Sequence, residues 1–139
     1  MRRFISTLSM LMVLAALSAC ATRPPEPELT LEQRLAEKGF AIGEQVRAIR
    51  DWNLNGWSYV DDQHFIMHSG VRDRYLVTLR TPSMELRSAV NIAFTTTVGS
   101  LRDTDLVVVR VTGGITSQYM IDTLHRLERL PEPDQPETL

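Results

Sequence analysis

His64 and His68 stand four residues apart, a spacing that on a helix would bring two imidazoles together around one metal ion. They flank Phe65-Ile66-Met67, however, in a segment that reads as a strand. At about 3.3 Å per residue, four steps along a strand part the rings by roughly 13 Å, too far to share an ion. Asp62 and His64 are closer and fall on one face, but a metal site would still need a third ligand from elsewhere. The expectation is no metal centre, with two polar residues on a solvated strand face. A metal-binding protein or hydrolase using Asp62, His64 and His68 is kept as the alternative.

Other chemistry is sparser. Asp61-Asp62 could pair carboxylates for acid–base work, but neighbours at a turn point apart, and Asp favours turns in any case. Ser69 precedes a glycine without the G-x-S-x-G elbow of a nucleophilic serine. Gly113-Gly114 is too short to cradle a phosphate and has no P-loop lysine. Thr95-Thr96-Thr97 is ordinary strand composition. No enzyme motif and no cofactor motif survives, so the expectation is a non-enzymatic protein without a cofactor.

The basic residues are arginines except for Lys38. Arg72, Arg74, Arg80, Arg87, Arg102 and Arg110 could line a surface for carboxylate or phosphate, which guanidinium binds bidentately. Codon bias explains the same excess more simply. Trp52, Trp57 and Tyr59 could form an exposed patch, although packing is the default role of such a cluster. Trp57, Arg74 and Arg80 are the candidate partner-binding residues.

The chain has 139 residues, 43% hydrophobic, 23% charged and 6% aromatic, which fits one domain. Its 15 basic residues against 17 acidic ones speak against nucleic acid as a partner. Met1-Arg2-Arg3 followed by the uncharged, apolar run Phe4–Ala19 has the pattern of a secretory signal. That run is 16 residues, short of the roughly 20 that a membrane-spanning helix needs. It ends in Leu17-Ser18-Ala19-Cys20, and Cys20 is the only cysteine.

These four residues resemble the lipobox of bacterial lipoproteins. The resemblance implies cleavage between Ala19 and Cys20 and a diacylglyceryl group on the Cys20 thiol, with palmitate-type chains. Two or three chains hold a protein on a membrane where one gives only marginal binding. The next residue, Ala21, is not the aspartate of an inner-membrane retention signal, which points to the periplasmic side of the outer membrane. The shortened chain would keep 13 basic residues against 17 acidic ones. With its cysteine consumed by lipid it would rely on its core without a disulfide.

Residues 1–19 are thus read as a signal peptide and 20–29 as a lipidated, proline-rich tether, with Pro24, Pro25 and Pro27 favouring extended chain. Residues 30–130 form a single globular domain and 131–139 a disordered tail. Within the domain, Thr30 and Gln33 make a capping box, Leu31 and Leu35 share a helical face, and Gly39 ends the helix. Arg74–Arg80 then alternates, with Tyr75, Val77 and Leu79 on one face. Ala89–Thr97 alternates too, with Val90, Ile92 and Phe94 inward. Leu106–Val111 is a continuous apolar run, as in a strand buried on both faces.

Gly56–Val60 and Gln63–His68 read as shorter strands, and Met84–Ser88 as a helical turn. Arg47–Trp52 and Ile121–Arg129 fit helix and strand equally. The fold class is α+β leaning to all-β: a small, mostly antiparallel, curled or barrel-like sheet with one short N-terminal helix.

The run Gly56-Trp57 through Val60-Asp61 to His64, then Arg74-Tyr75-Leu76-Val77-Thr78-Leu79-Arg80, Leu86-Arg87-Ser88-Ala89 and Ile121-Asp122, resembles a proteobacterial lipoprotein family with a domain of unknown function. The likeness covers about Val46–Leu130 and favours a strand for the last segment. It implies two cysteines in many members where this chain has Ser83 and approximately Tyr119, the latter just before the final strand, so a disulfide seen in them is absent here. It implies no activity. The expected function is that of a membrane-anchored periplasmic lipoprotein, a binding or envelope-structural module. Its partner would be an envelope protein or an anionic polymer, such as lipopolysaccharide phosphates or peptidoglycan carboxylates.

Overall fold

Thr30 opens the first element by accepting a hydrogen bond from the Gln33 backbone N–H at 3.3 Å, while the Gln33 side chain accepts from the Thr30 N–H at 2.8 Å. This reciprocal cap satisfies two of the amide groups that a helix start leaves unpaired. The resulting helix α1 (Leu31–Glu37) is followed by Gly39 at φ +82°, a left-handed conformation that stops it cheaply. The computed structural model that shows this describes residues 27–96 and 99–132. The segment expected to be a signal peptide, Cys20, the expected tether up to residue 26, Thr97 and the expected tail from residue 133 lie outside the described residues.

Nine strands follow α1 among the described residues: β1 (Phe40–Val46), β2 (Ala48–Arg50), β3 (Leu54–Tyr59), β4 (His64–Ser69), β5 (Asp73–Leu79), β6 (Ala89–Phe94), β7 (Ser100–Arg102), β8 (Leu106–Val111) and β9 (Thr116–Arg129). A 3-10 turn, Met84–Ser88, precedes β6. The main sheet runs β3-β4-β5-β9-β8-β6, with β1 also paired to β9, and every pairing is antiparallel. It curls into a nearly closed, barrel-like sheet. β2 and β7 form a separate two-stranded ribbon.

The fourteen-residue β9 organises the barrel. Its first part pairs with β8, Ile121–Arg126 pairs with β5, and Leu124–Arg129 pairs with β1. Ile121–Arg129, which fitted either helix or strand, is therefore strand, and the strand begins as early as Thr116. The three-residue apolar spacing of Ile121, Leu124 and Leu127 has two causes. Leu79 pairs with Ile121 and Thr78 with Thr123, so Asp122 is an extra residue that turns Ile121 and Leu124 to the same face. Leu127 faces the other way and is buried there as well.

Phe65, Met67, Val77, Leu79, Ile92, Phe94, Val107, Val109, Ile121 and Leu124 fill the interior. Ile49 of β2 and Leu101 of β7 pair with each other and join this core, so Arg47–Trp52 resolves into a short strand. Outside the barrel, Leu35 of α1 packs with Val60, Ile66, Leu76 and Leu127. Burial on both faces is why Phe65, Ile66 and Met67 are all buried in sequence.

Two expectations are corrected. Val90 does not face inward but is 60% exposed. Ala89 pairs with Val111 and Asn91 with Arg110, so Val90 is the unpaired residue of a bulge and turns out of the alternation. Leu106–Val111 is not fully covered on both faces. Val107 and Val109 are buried, whereas Leu106 and Val108 are half-buried and Arg110 is exposed, because α1 covers a different part of the outer surface. At the other close approach, β1 bulges between Ile42 and Gln45. There a Cβ on Gly43 would lie 2.6 Å from the Arg126 carbonyl oxygen, so the position admits no side chain without backbone movement.

Candidate functional site

The link between β3 and β4 is built on one carboxylate. Asp61 Oδ1 accepts from the backbone N–H of Gln63 (2.8 Å) and of His64 (2.9 Å), and it lies 2.7 Å from His64 Nδ1. The first two bonds are those of an Asx turn, which tightens the loop. The third orients the imidazole, with Nε2 left unengaged among the described residues. Asp62 turns to other partners. It accepts from the Tyr59 hydroxyl at 2.8 Å and from Arg87 Nη2 at 3.3 and 3.4 Å, while Arg87 Nε donates to the Tyr59 oxygen at 3.4 Å. The two adjacent aspartates thus serve separate networks and do not form a carboxylate pair.

Both networks open on a polar cleft of about 380 Å³. Its walls come from three segments: Asp61–His64 and Tyr59 on the β3–β4 hairpin, Arg34 with Glu28 and Leu29 at α1, and Pro82 with Arg87 on the β5–β6 connection. Arg34 Nε donates to the Leu29 carbonyl at 3.1 Å, which ties the chain entering α1 to the helix. Gln63 is held by its own donation to the Leu79 carbonyl at 2.9 Å. Burial and the neighbouring Asp62 carboxylate push the Tyr59 phenol up, opposed by Arg87. Tyr59 and Asp62 hold the Arg87 guanidinium above its usual range.

The residues singled out from sequence separate in space. Asp62 and His64 line the cleft, yet their bonds go to different partners. His68 stands elsewhere on β4, opposite Arg74, with Nε2 3.0 Å from the Ser58 hydroxyl. Among the described residues no group of three or more His, Cys, Asp or Glu is placed to hold a metal ion. Trp57 is half-buried, edge-on to Phe65 with ring centres 6.2 Å apart. Arg74 donates to the carbonyls of Asp73 and Val71, and Arg80 faces Asp122 at 3.8 Å. None of these three lines the cleft.

Arg34 carried no signal in the sequence. Arg87 was one arginine among six, and its partnership with Asp62 spans 25 positions. The Asp61–His64 contact is local and follows a common turn spacing, so it was the one part of the cleft open to sequence reasoning.

His68 gives a pH expectation. Burial first, and the nearby Arg74 charge second, lower its pKa below the ordinary 6.5. The unfolded chain therefore takes up this proton before the folded one does, and His68 lowers stability as pH falls below about 6.5. Above that pH both forms are neutral there and the contribution vanishes. Urea midpoints measured at pH 7 and pH 5.5 should fall on acidification, and the fall should be smaller in His68→Gln. An equal fall in the variant would remove His68 as a cause.

Ser83, one of the positions where the family likeness implies a cysteine, is 1% exposed and its hydroxyl has no hydrogen-bond partner. Its backbone N–H donates to the Asp62 carbonyl at 2.6 Å. Tyr119, the other position, lies inside β9 and not before it, and its hydroxyl donates to Glu85 at 3.1 Å. An unpaired buried hydroxyl costs about 1 kcal/mol or more, so Ser83→Ala is expected to stabilise the fold by about that amount. A lower urea midpoint in the variant would show that the hydroxyl contributes.

A family of unknown function (DUF6491) matches residues 1–131. No curated protein and no solved structure matches the chain.

Proposed function

The chain belongs to that family of unknown function, and from this premise we propose that it is a lipoprotein held on the periplasmic side of the bacterial outer membrane, where its barrel acts as a non-enzymatic binding module. The observation that carries the reading is Leu17-Ser18-Ala19-Cys20 at the end of an uncharged apolar run, with Cys20 the sole cysteine. A thiol there is a nucleophile for a diacylglyceryl group, and small neighbours leave the Ala19–Cys20 bond accessible to a protease. Two or three acyl chains, at about 0.8 kcal/mol per buried CH₂, make attachment durable. Among the described residues, which begin at residue 27, no helix is long and apolar enough to cross a membrane.

The binding role draws on the cleft. It presents charged and polar side chains from three segments of the chain. An envelope protein or anionic polymer is the partner class that suits such a surface.

Fractionation tests the anchor. The full chain is expected in the membrane fraction after washes with high salt and with alkaline carbonate, and in solution only after detergent. Release by salt alone would replace the lipid anchor with a peripheral, electrostatic one.

A further inference from the structure

Charge is spread unevenly over the barrel. Residues 88–101 carry no charged side chain and residues 106–121 only Arg110, in a chain that is 23% charged. These stretches supply β6, β8 and the first part of β9, which are neighbours in the sheet. Val107 and Val109 point into the core, so Leu106, Val108 and Arg110 point outward. Ala93 lies opposite Val108 on β6, and Gln118 and Met120 lie opposite Val108 and Leu106 on β9. At the hairpin end, Ile115 is 63% exposed, and its carbonyl accepts from the Val111 N–H. The exposed Val90 follows Ala89, which pairs with Val111. Single exposed apolar side chains need no explanation, but here they share one nearly uncharged lobe. α1 packs over Ile66, Leu76 and Leu127 instead, and Ala93, Gln118 and Met120 are left exposed.

We propose that the outer face of β6, β8 and the start of β9 lies against the lipid bilayer to which Cys20 is attached. The proposal rests on the reading of the chain as a lipoprotein and adds the orientation of its domain. The chain arriving from Cys20 meets the barrel next to this lobe: Leu29 shares the cleft with Pro82 and Arg87, and the connection that carries those two leads into β6. From Cys20 to Glu28 is eight residues, at most about 26–29 Å when fully extended. Contact with the bilayer is then intramolecular, so a face of modest apolar content can dock where it would bind a free partner only weakly. The chemistry of the lobe suits that occupant. It brings no carboxylate towards anionic headgroups, and its one cation, Arg110, can lay its stem along the face while the guanidinium reaches a lipid phosphate.

The test uses the full acylated chain reconstituted in vesicles of phosphatidylethanolamine and phosphatidylglycerol. With Cys20 consumed by lipid, a single introduced cysteine is the only free thiol and takes an environment-sensitive fluorophore. Ile115→Cys reports the proposed face. Val71→Cys reports the β4–β5 turn, 87% exposed and at the far end of β5 from the cleft. A docked apolar face sits about 5–10 Å into the headgroup boundary, so doxyl groups high on the acyl chains should quench the Ile115→Cys label about twofold or more. The Val71→Cys label should be nearly unchanged. Val90→Glu, a carboxylate added at an exposed position, should bring the Ile115→Cys value down to that of Val71→Cys.

Equal quenching at the two sites, or full quenching that persists in Val90→Glu, overturns the docking. Protection of the Ile115→Cys label from aqueous iodide without quenching by lipid also overturns it, and assigns the face to a second copy of this chain. The intact mass of the same preparation reports acylation of Cys20 independently. An acylated chain whose Ile115→Cys label is not quenched overturns the docking and leaves the anchor, whereas an unacylated chain overturns the anchor and the docking with it.

Discussion

Cys20→Ala is expected to abolish incorporation of labelled palmitate into the chain and to leave any processed form in the soluble fraction. The effect should be complete and not graded, because the chain has no second cysteine to accept a lipid. Each acyl chain contributes about 0.8 kcal/mol per buried CH₂, so losing two or three chains removes the whole anchor. Cys20→Ser separates nucleophilicity from size. Its hydroxyl matches the thiol in shape but is not ionised as a thiolate can be, so it too should take no label. Palmitate retained by Cys20→Ala would place the acyl group elsewhere and remove the basis of the anchor.

Leu35→Ala is expected to cost about 2–5 kcal/mol of stability, the range for a leucine truncated in a packed site. Leu35 is fully buried and is the buried residue of α1. It packs with Val60, Ile66, Leu76 and Leu127 on the outside of the barrel, so truncation loosens the helix from the sheet. A seven-residue helix has little stability of its own and depends on this packing. Urea unfolding followed by fluorescence of Trp52 and Trp57 measures the effect. A loss below about 1 kcal/mol, the size of a surface substitution or little more, would mean that α1 is not fastened through Leu35.

The parts of the fold open to sequence reasoning were those set by neighbours in the chain. The Thr30–Gln33 cap and the Gly39 stop lie within ten residues, and the Tyr75, Val77 and Leu79 alternation needs only the pleat of one strand. Strand-like composition and turn signals were enough for the barrel-like class. The error at Val90 and the ambiguity of Ile121–Arg129 arose where pairing changes the period. A bulge at Val90 broke an alternation that looked clean, and the extra residue at Asp122 gave β9 a helical spacing. Both bulges are properties of two strands together, and one strand's residues do not encode them visibly.

The cleft follows the same division. Asp61 and His64 meet across a turn and were within reach, although Asp62 was read as the nearer partner of His64. The partnership of Asp62 with Arg87, and the arrival of Arg34 on the same cleft, depend on α1 docking and on the route of the β5–β6 connection. The proposed signal segment and the role of Cys20 rest on a different kind of reading. Their pattern is matched to processing machinery and needs no folded context.

The most direct measurement of the central claim is the intact mass of the chain purified from membranes. The expected result is a protein beginning at Cys20, heavier than residues 20–139 by a diacylglyceryl group, with or without a further acyl chain. A mass equal to the unmodified chain, with a free thiol at Cys20, would contradict it.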